Sequence, residues 1–290
     1  MGNSAVLDEA GSTGASSARA RALPSERFAD DLLRLSTRCW FLVVVIGQLL
    51  FASYIVVDYM LAAVRGHLGD RSTYLAHGYI AGDHVGNGAA AAHIILAALI
   101  VSSGALQLLP QVRTRFPSFH RWNGRMYFVA ACAASIAGFY IVWFRGGVGD
   151  LSQHLSSSLN AALILVFGAL AVRFAIARDI PKHRRWALRL FMVVSGVWFF
   201  RLGFMLWVIL NRGPVGFDGA TFTGPFLTIW GFGCFLVPLA ILEVYLRVQK
   251  QVGVAPRIGM AVSLFALSIA MVLGLLGTVM VMWLPAIKSA

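Results

Sequence analysis

Long apolar runs alternate with short polar segments along most of the chain. The runs cover residues 39–64, 88–110, 126–144, 154–177, 187–210, 225–247 and 258–285. Each is close to the ~20 residues that an α-helix needs to cross the hydrocarbon core of a bilayer. Glycine, proline or charged residues mark the segments between the runs. The pattern predicts an all-α integral membrane protein with seven transmembrane helices.

The segment before the first run has a different composition. Residues 1–38 are rich in small residues and arginine and lack an apolar period. Such a composition buries too little surface to offset the entropy of ordering, so we expect 1–38 to form a disordered cytoplasmic tail. Because no apolar segment directly follows the initial methionine, the first run, from Cys39, is predicted to act as an uncleaved signal anchor.

Composition favours lipid as the main solvent of the chain. Of 290 residues, 59% are hydrophobic and only 12% are charged, whereas about a quarter of a soluble domain is charged. The formal net charge is +12. On a soluble protein this charge would suggest nucleic acid as a partner, but basic loops beside transmembrane helices explain it better. We expect the lipid bilayer, and no nucleic acid, as a partner.

The basic residues are concentrated on one side of the predicted helices. Twelve lie in or beside the second, fourth and sixth loops: Arg113, Arg115, Arg121, Arg125, Arg178, Lys182, Arg184, Arg185, Arg189, Arg247, Lys250 and Arg257. Five lie on the other side: Arg65, Arg71, Arg145, Arg212 and Lys288. Because Lys and Arg are enriched in cytoplasmic loops, we expect an inner-membrane protein with a cytoplasmic N-terminus and a periplasmic or extracellular C-terminus.

The second and third predicted helices look like a copy of the fourth and fifth. The first pair carries, in order, His93, Gly104-Ala105-Leu106, Arg115, Pro117, His120-Arg121, Trp122 and Arg125; the second pair carries His154, Gly168-Ala169-Leu170, Arg178, Pro181, His183-Arg184, Trp186 and Arg189. Duplicated hairpins of the same orientation pack around a pseudo-twofold axis along the membrane normal. The sequence therefore predicts a four-helix core made from two copies of one hairpin.

The repeat places two histidines at each membrane face of this core. His93 and His154 begin helices on the outer side, whereas His120 and His183 precede helices on the cytoplasmic side. Two imidazoles from facing helices are the axial ligands that a low-spin b-type haem needs, and bundle cores are common cofactor sites. Four nearby arginines are candidates to bind the haem propionates: Arg121, Arg125, Arg184 and Arg189. The alternative is that these residues only anchor the loops and cap the helices at the interface.

Four further charged residues fall inside the apolar runs. Asp58 and Arg201 lie at similar depth, and Arg173 and Glu243 both lie near the cytoplasmic face. An unpaired charge at membrane depth costs several kcal/mol, so partners or water must be present. The structural interpretation is two ion pairs, Asp58–Arg201 and Arg173–Glu243. The functional alternative is that Arg201 binds an anion or a haem propionate.

The loop between the first and second predicted helices is rich in metal-ligand types. Its candidates are His67, Asp70, His77, Asp83 and His84. These residue types suit zinc or copper, but their spacing matches no compact metal motif, so we expect a solvated loop and no metal site. Three widely spaced cysteines lie inside apolar runs and are interpreted as small core residues: Cys39, Cys132 and Cys234.

The stretch from His93 to Arg201 resembles a bacterial family of multipass membrane proteins catalogued as domain of unknown function 2306. The residues that carry the resemblance are His93, Gly104, the block from Arg115 to Tyr127, the block from His183 to Arg189, and Arg201. The resemblance implies a membrane helical bundle without an established activity.

The alternation of histidines on the second to fifth helices is also similar to the ascorbate-dependent dihaem cytochrome b reductases. In that family the second and fourth helices hold one haem, and the third and fifth hold the other. The resemblance implies that His93 pairs with His154 and that His120 pairs with His183.

Three functions compete for these features. The four alternating histidines favour a b-type haem-binding transmembrane electron-transfer protein. The repeat, with Asp58 and Arg201 at membrane depth, is also consistent with a small-solute (anion) transporter or channel. A metal-dependent membrane hydrolase is the least favoured, because the seventh apolar run contains no histidine.

Overall fold

A computed structural model describes residues 23–64, 79–251 and 253–289, and most of these described residues are helical. Within those ranges there is no strand, and a single isolated antiparallel bridge joins Asp218 to Thr223. The all-α prediction is confirmed. Residues 1–22 and the loop residues His67, Asp70 and His77 lie outside the described part of the chain.

The helices follow the apolar runs but extend beyond most of them. Their bounds are α1 Pro24–Val64, α2 His84–Leu108, α3 Pro110–Arg115, α4 Pro117–Phe144, α5 Leu151–Ile176, α6 Ile180–Val194, α7 Gly196–Leu210, α8 Pro225–Val248 and α9 Val254–Gly277, followed by a π-helix at Thr278–Trp283 and α10 Leu284–Ser289. Six helical stretches in the described ranges are long and apolar enough to cross a bilayer, and α6 with α7 makes a seventh if the bent pair is one span. The protein is an integral membrane protein with several spans.

The N-terminal boundary of α1 differs from the prediction. Residues 24–38 were expected to belong to a disordered tail, but α1 begins at Pro24, whose fixed φ suits the first helical position. Ala29, Leu33 and Ser36 are buried at helical spacing, so this charged segment carries a narrow packing stripe. A stripe of this kind is easily missed when charged residues dominate the composition.

Two compact units make up the chain, and each is described by itself. The first unit contains the described residues up to Leu42 together with Val244–Ile269. Within it, Oδ1 of Asp30 lies 2.8 Å from Nη1 of Arg257, and the Thr37 hydroxyl donates to the backbone oxygen of Leu33 at 2.7 Å. These contacts give the charged start of α1 a partner within its own unit.

The second unit, Val43–Glu243 with the residues from Ala270, contains both predicted hairpins. Its apolar core is formed by buried residues of α2, α4 and α6: Ile100, Tyr127, Ala130, Ala131, Ala134 and Leu190. The alanines of α4 have short side chains, which lets neighbouring backbones approach closely, as is common in membrane bundles. This apolar layer separates a histidine pair at one end of the core from the histidines at the other.

The fifth predicted span, 187–210, is broken in the structure. Helix α6 ends at Val194, α7 begins at Gly196, and the two axes differ by 49°. Ser195 and Gly196 stand at the break, and kinks at Gly and Ser are common because these residues hold the helical conformation weakly. Apolar periodicity alone did not predict the break.

The last apolar run is continuous, but it changes its helical form. Helix α9 passes at Thr278 into a π-helix that ends at Trp283. The Trp283 ring stacks on Phe51 at 5.5 Å and on Tyr54 at 5.3 Å between centroids. The wider π turn thus places the buried Trp283 indole against Phe51 and Tyr54 of α1.

Candidate functional site

His120 and His183 occupy equivalent positions at the start of two helices. His120 is the fourth residue of α4 and His183 is the fourth residue of α6, so both lie in the first turn of a helix and not before it, as the sequence suggested. A proline stands near the start of each helix, Pro117 in α4 and Pro181 in α6, and proline in the first turn costs no backbone hydrogen bond. We call this end of the second unit the basic end.

The two histidines of the basic end are neighbours. Their imidazoles are close enough to act on each other electrostatically. Nδ1 of His183 lies 2.9 Å from the backbone oxygen of Ala171, so one ring nitrogen is held by α5. Nδ1 of His120 is buried and finds no hydrogen-bond partner in the described residues. The pair therefore combines an oriented imidazole with one whose buried nitrogen is unsatisfied.

The backbone around His120 is held by two amide side chains. Nε2 of Gln107 donates to the backbone oxygen of His120 at 3.1 Å. Nδ2 of Asn123 in turn donates to Oε1 of Gln107 at 2.9 Å and to the backbone oxygen of Ser103 at 3.1 Å. This network ties the first turn of α4 to the end of α2, which fixes the height of the His120 ring.

The outer pair predicted from the sequence, His93 and His154, is placed at two different heights. Nδ1 of His93 lies 2.9 Å from the oxygen of Ala134, and its ring fits against Gly138, where an added Cβ would be 3.1 Å from Cε1. His154 instead lies near the end of α4, with Nε2 3.3 Å from the oxygen of Gly147.

The offset between His93 and His154 is already visible in the sequence. His93 precedes Gly104 by 11 residues, whereas His154 precedes the matching Gly168 by 14. Three helical residues correspond to roughly 4.5 Å along an axis. His93 and His154 therefore differ in height by about one helical turn, although the order of the motifs alone would place them at the same level.

The predicted propionate-binding arginines have different environments. Arg121, Arg125 and Arg184 are exposed at the basic end, and Nη2 of Arg121 donates to Ser118 Oγ at 3.1 Å. Arg113 and Arg121 both act electrostatically on His120. These exposed guanidiniums make this end of the second unit positively charged.

Arg189 is engaged elsewhere. Its Nε and Nη2 donate to Oε1 and Oε2 of Glu243 at 2.6 and 2.9 Å, and its guanidinium lies 4.5 Å from the ring centroid of Trp186. The predicted Arg173–Glu243 pair is therefore wrong, because Arg189 on α6 faces α8 and holds both carboxylate oxygens. Arg173 is exposed and lies 6.0 Å from the Phe174 ring centroid.

Arg201 stands in the other half of the broken span. Its guanidinium lies 4.9 Å from the centroid of the Phe51 ring and donates to the oxygen of Val197 at 3.1 Å. It is also near enough to act electrostatically on His93. Phe51 and the buried Asp58 are two turns apart on one face of α1, so the predicted Asp58–Arg201 pair agrees with this placement and stays a prediction.

The described part of the outer loop is built into the helix ends. Oδ1 of Asp83 accepts from the backbone N–H of Gly86 at 2.8 Å, which caps α2, and Oδ2 lies 3.2 Å from Nε of Arg145. His84 is exposed as the first residue of α2. Among the described residues, no three His, Cys, Asp or Glu side chains are grouped as metal ligands.

A polar cluster at the helix break was missed by the sequence analysis. Gln48 and Ser195 are hydrogen-bonded at 2.8 Å, from Nε2 to Oγ, and both are buried together with Trp198. A signal for it exists in the sequence, since Gln48 is a lone amide inside an apolar run and Ser195-Gly196 interrupts another.

Comparison with known proteins identifies a family that matches the chain. The model of a family described as predicted membrane proteins, domain of unknown function 2306, matches residues 90–246, which is more than half of the chain. That range includes all four repeat histidines and Arg201. No curated protein and no solved structure matches the chain.

Proposed function

Starting from the chain's membership of the membrane-protein family domain of unknown function 2306, we propose that it is a transmembrane electron-transfer protein that binds b-type haem between His120 and His183. The proposal rests on the hydrogen bonding of the two imidazole rings. His183 has its Nδ1 at the oxygen of Ala171, and His120 has a buried nitrogen without a partner in the described residues.

A hydrogen bond from one ring nitrogen to a backbone carbonyl is what orients a metal-ligating histidine. With Nδ1 of His183 donating to Ala171, the Nε2 lone pair is left to a metal. His120 lies on the neighbouring helix within electrostatic range of His183. His120 and His183 are the residues that would hold the haem, and the haem would supply a one-electron carrier when bound.

The surrounding charge suits an anionic edge of such a group. Arg113 and Arg121 act on His120. Exposed Arg184 directly follows His183, and exposed Arg125 lies five residues after His120 on the same helix. Guanidinium groups bind carboxylates with paired hydrogen bonds, so these residues are placed to receive propionates. Arg189 is left out of this set, because its Nε and Nη2 already donate to Glu243.

The predicted duplication is supported by reciprocal contacts in the core. A Cβ added at Gly104 of α2 would lie 3.0 Å from the Tyr127 ring and 3.5 Å from the Phe191 ring. Tyr127 is seven residues after His120 in the same hairpin, and Phe191 is eight residues after His183 in the other.

The second glycine repeats both relationships. A Cβ added at Gly168 of α5 would lie 3.8 Å from Leu190 and 2.7 Å from the Phe128 ring. Leu190 is seven residues after His183 in the same hairpin, and Phe128 is eight residues after His120 in the other. The glycine of each hairpin thus packs against a phenylalanine ring of the other hairpin. Such equivalent contacts are expected for two copies related by a pseudo-twofold axis.

Only the basic end is assigned a haem. A second haem between His93 and His154 would need ligands at one level, whereas they differ by about one helical turn. Nε2 of His154 is also engaged with Gly147. We place the basic end in the cytoplasm, which gives seven spans with α6 and α7 counted as one, a cytoplasmic N-terminus and an inner-membrane location.

The test is the reduced-minus-oxidised absorption spectrum of the full chain purified from haem-replete cells. A low-spin spectrum with a Soret and an α-band is expected, and it should be lost in His120→Ala and in His183→Ala. The matched control is His84→Ala, an exposed histidine at the far end of α2, which should keep the spectrum. Protein that folds but has no Soret band contradicts the proposal.

A second candidate, small-anion transport, is favoured by the break between α6 and α7. Discontinuous helices near the bilayer midplane commonly form solute sites in transporters. Arg201 lies one turn beyond the break, with its charge reaching His93. Proteoliposomes loaded with chloride distinguish this function, because Arg201→Ala should abolish counterflow if Arg201 binds the anion, and unchanged flux contradicts it.

A further inference from the structure

The break between α6 and α7 lies at mid-depth in the second unit. Ser195 follows His183 by 12 residues, or roughly 18 Å of helix. Ser195 and Gly196 are both buried, so the two residues at the break pack against protein. Irregular backbone at this depth is tolerated only where it is buried in protein or lines a water-filled space.

Three polar side chains surround the break. Gln48 on α1 donates from Nε2 to Ser195 Oγ at 2.8 Å. The Trp198 ring, one turn after the break, lies over Gly47, where an added Cβ would be 3.3 Å from Cε2. On α5, the Asn160 amide faces Gly196, where an added Cβ would be 3.3 Å from Nδ2.

Each of these side chains has a buried polar atom without a hydrogen-bond partner in the described residues. Oε1 of Gln48, Oδ1 of Asn160 and Nε1 of Trp198 are buried and find no hydrogen-bond partner within the described ranges. Gln48 is 2% exposed and Trp198 is 0% exposed. Asn160 is partly exposed as a residue, but its Oδ1 is buried, so bulk solvent does not satisfy these three atoms. Turning the Gln48 amide over would exchange its two polar atoms and still leave one of them unpaired.

We propose that the α6–α7 break holds bound water inside the membrane-spanning unit. Water both accepts and donates hydrogen bonds, so bound waters can satisfy the unpaired Trp198 N–H as well as the unpaired amide oxygens of Gln48 and Asn160. A monovalent cation would engage the amide oxygens but would leave the Trp198 N–H without an acceptor. An apolar ligand would satisfy none of the three atoms.

The bound water gives the broken span a polar joint. Backbone groups freed at a break in a transmembrane helix are re-satisfied by neighbouring helices, Ser or Thr side chains and ordered waters. At this break, Gln48 belongs to a neighbouring helix, Ser195 supplies the hydroxyl side chain, and the proposed water supplies the remaining hydrogen bonds. The bound water does not depend on haem, since neither His120 nor His183 contacts the break.

The direct test is radiolytic hydroxyl labelling of the full chain in phosphatidylcholine nanodiscs, with mass spectrometry and rapid mixing into ¹⁸O-water. Hydroxyl radicals form at bound waters, so Trp198 should be labelled although it is fully buried. Its label should acquire ¹⁸O more slowly than that of an exposed ring such as Trp122. Labelling of Trp198 should fall several-fold in Gln48→Leu with Asn160→Leu.

Two controls keep the test decisive. Ser103→Ala removes a buried hydroxyl of α2 that is bonded within its own helix, and it should leave Trp198 labelling unchanged. If the double variant fails to fold, Asn160→Leu alone should give a smaller decrease. Trp198 without label, or equal label in all variants, overturns the proposal, as does a rise in melting temperature that depends on sodium ions, which would indicate a cation at the break.

Discussion

Arg189 and Glu243 are joined by two hydrogen bonds, 2.6 Å from Nε to Oε1 and 2.9 Å from Nη2 to Oε2. The Trp186 ring covers the guanidinium from one side at 4.5 Å. Two parallel bonds fix direction as well as distance, so this contact sets how α6 lies against α8. Since His183 is six residues away on α6, the pair also helps to position the candidate ligand.

Replacing Arg189 by Ala should destabilise the protein by roughly 2 kcal/mol, because a half-buried carboxylate loses two hydrogen bonds from a charged group. The measurement is thermal or denaturant unfolding of the purified protein in detergent. Arg173→Ala is the matched control and should change the free energy of unfolding by less than about 0.5 kcal/mol. Equal effects of the two substitutions would mean that Glu243 is not bound specifically by Arg189.

Gly168→Ala should destabilise the core by about 1–3 kcal/mol, since overpacking of a close contact displaces rings or backbone. The new methyl group would lie 2.7 Å from the Phe128 ring. Phe128→Leu should recover part of the loss, and unfolding of the single and double variants measures the coupling.

Gly88→Ala is the control for the glycine series. Nothing lies within 4 Å of an added Cβ at this position of α2, so the substitution should be neutral or stabilise the helix by up to about 1 kcal/mol. If Gly88→Ala and Gly168→Ala both stabilised the protein, the close approach of α5 to α4 at Gly168 would be contradicted.

The purified protein should contain one haem per chain. His93→Ala should keep the full haem content, because His93 is excluded from the assigned pair, whereas His120→Ala should lose it. Pyridine haemochrome titration against protein concentration measures the ratio. Two haems per chain, with one lost in His93→Ala, would restore the two-site arrangement implied by the reductase resemblance.

Acid should weaken the start of α6 through Asp179. The Lys182 ammonium, 2.8 Å away, and the Lys182 backbone N–H hold the pKa of Asp179 below its ordinary value. A lowered pKa in the folded state contributes stability above the unfolded value near ~3.9, and this stability is lost as the pH falls through the folded pKa.

The measurement for Asp179 is the melting temperature between neutral and acidic pH. Asp179→Asn keeps a side-chain oxygen for the cap and removes the charge, so its melting temperature should fall less steeply on acidification than that of the parent chain. Identical slopes would show that other carboxylates dominate acid unfolding.

The spans were predictable because apolar length is set by the bilayer, and each predicted run lies largely within one helix or one bent pair. The partner of Glu243 was not predictable. Arg173 and Arg189 both lie toward the same predicted face, and only the packing of α6 on α8 decides between them. The start of α1 was missed for a related reason, because Ala29, Leu33 and Ser36 form too narrow a stripe to stand out among charged neighbours.

The repeated order of motifs predicts His120 and His183 as a pair. Their rings interact electrostatically, which is consistent with the pairing, and their role as ligands stays a prediction. The height difference between His93 and His154 was present in the spacings 11 and 14, but the order of motifs hid it. The polar cluster at Ser195 depends on where Gln48 and Asn160 meet a bend, and no local pattern encodes that meeting.

The reciprocal contacts of Gly104 with Phe191 and of Gly168 with Phe128 have a historical consequence. Surfaces that give and receive the same feature are self-complementary, as in a twofold homodimer. If the two hairpins are copies, as proposed, a gene encoding one hairpin could have built this core by pairing two identical products. Fusion of two such genes would then have freed each half to diverge, so that one copy kept a straight span while the other acquired a bend and an arginine.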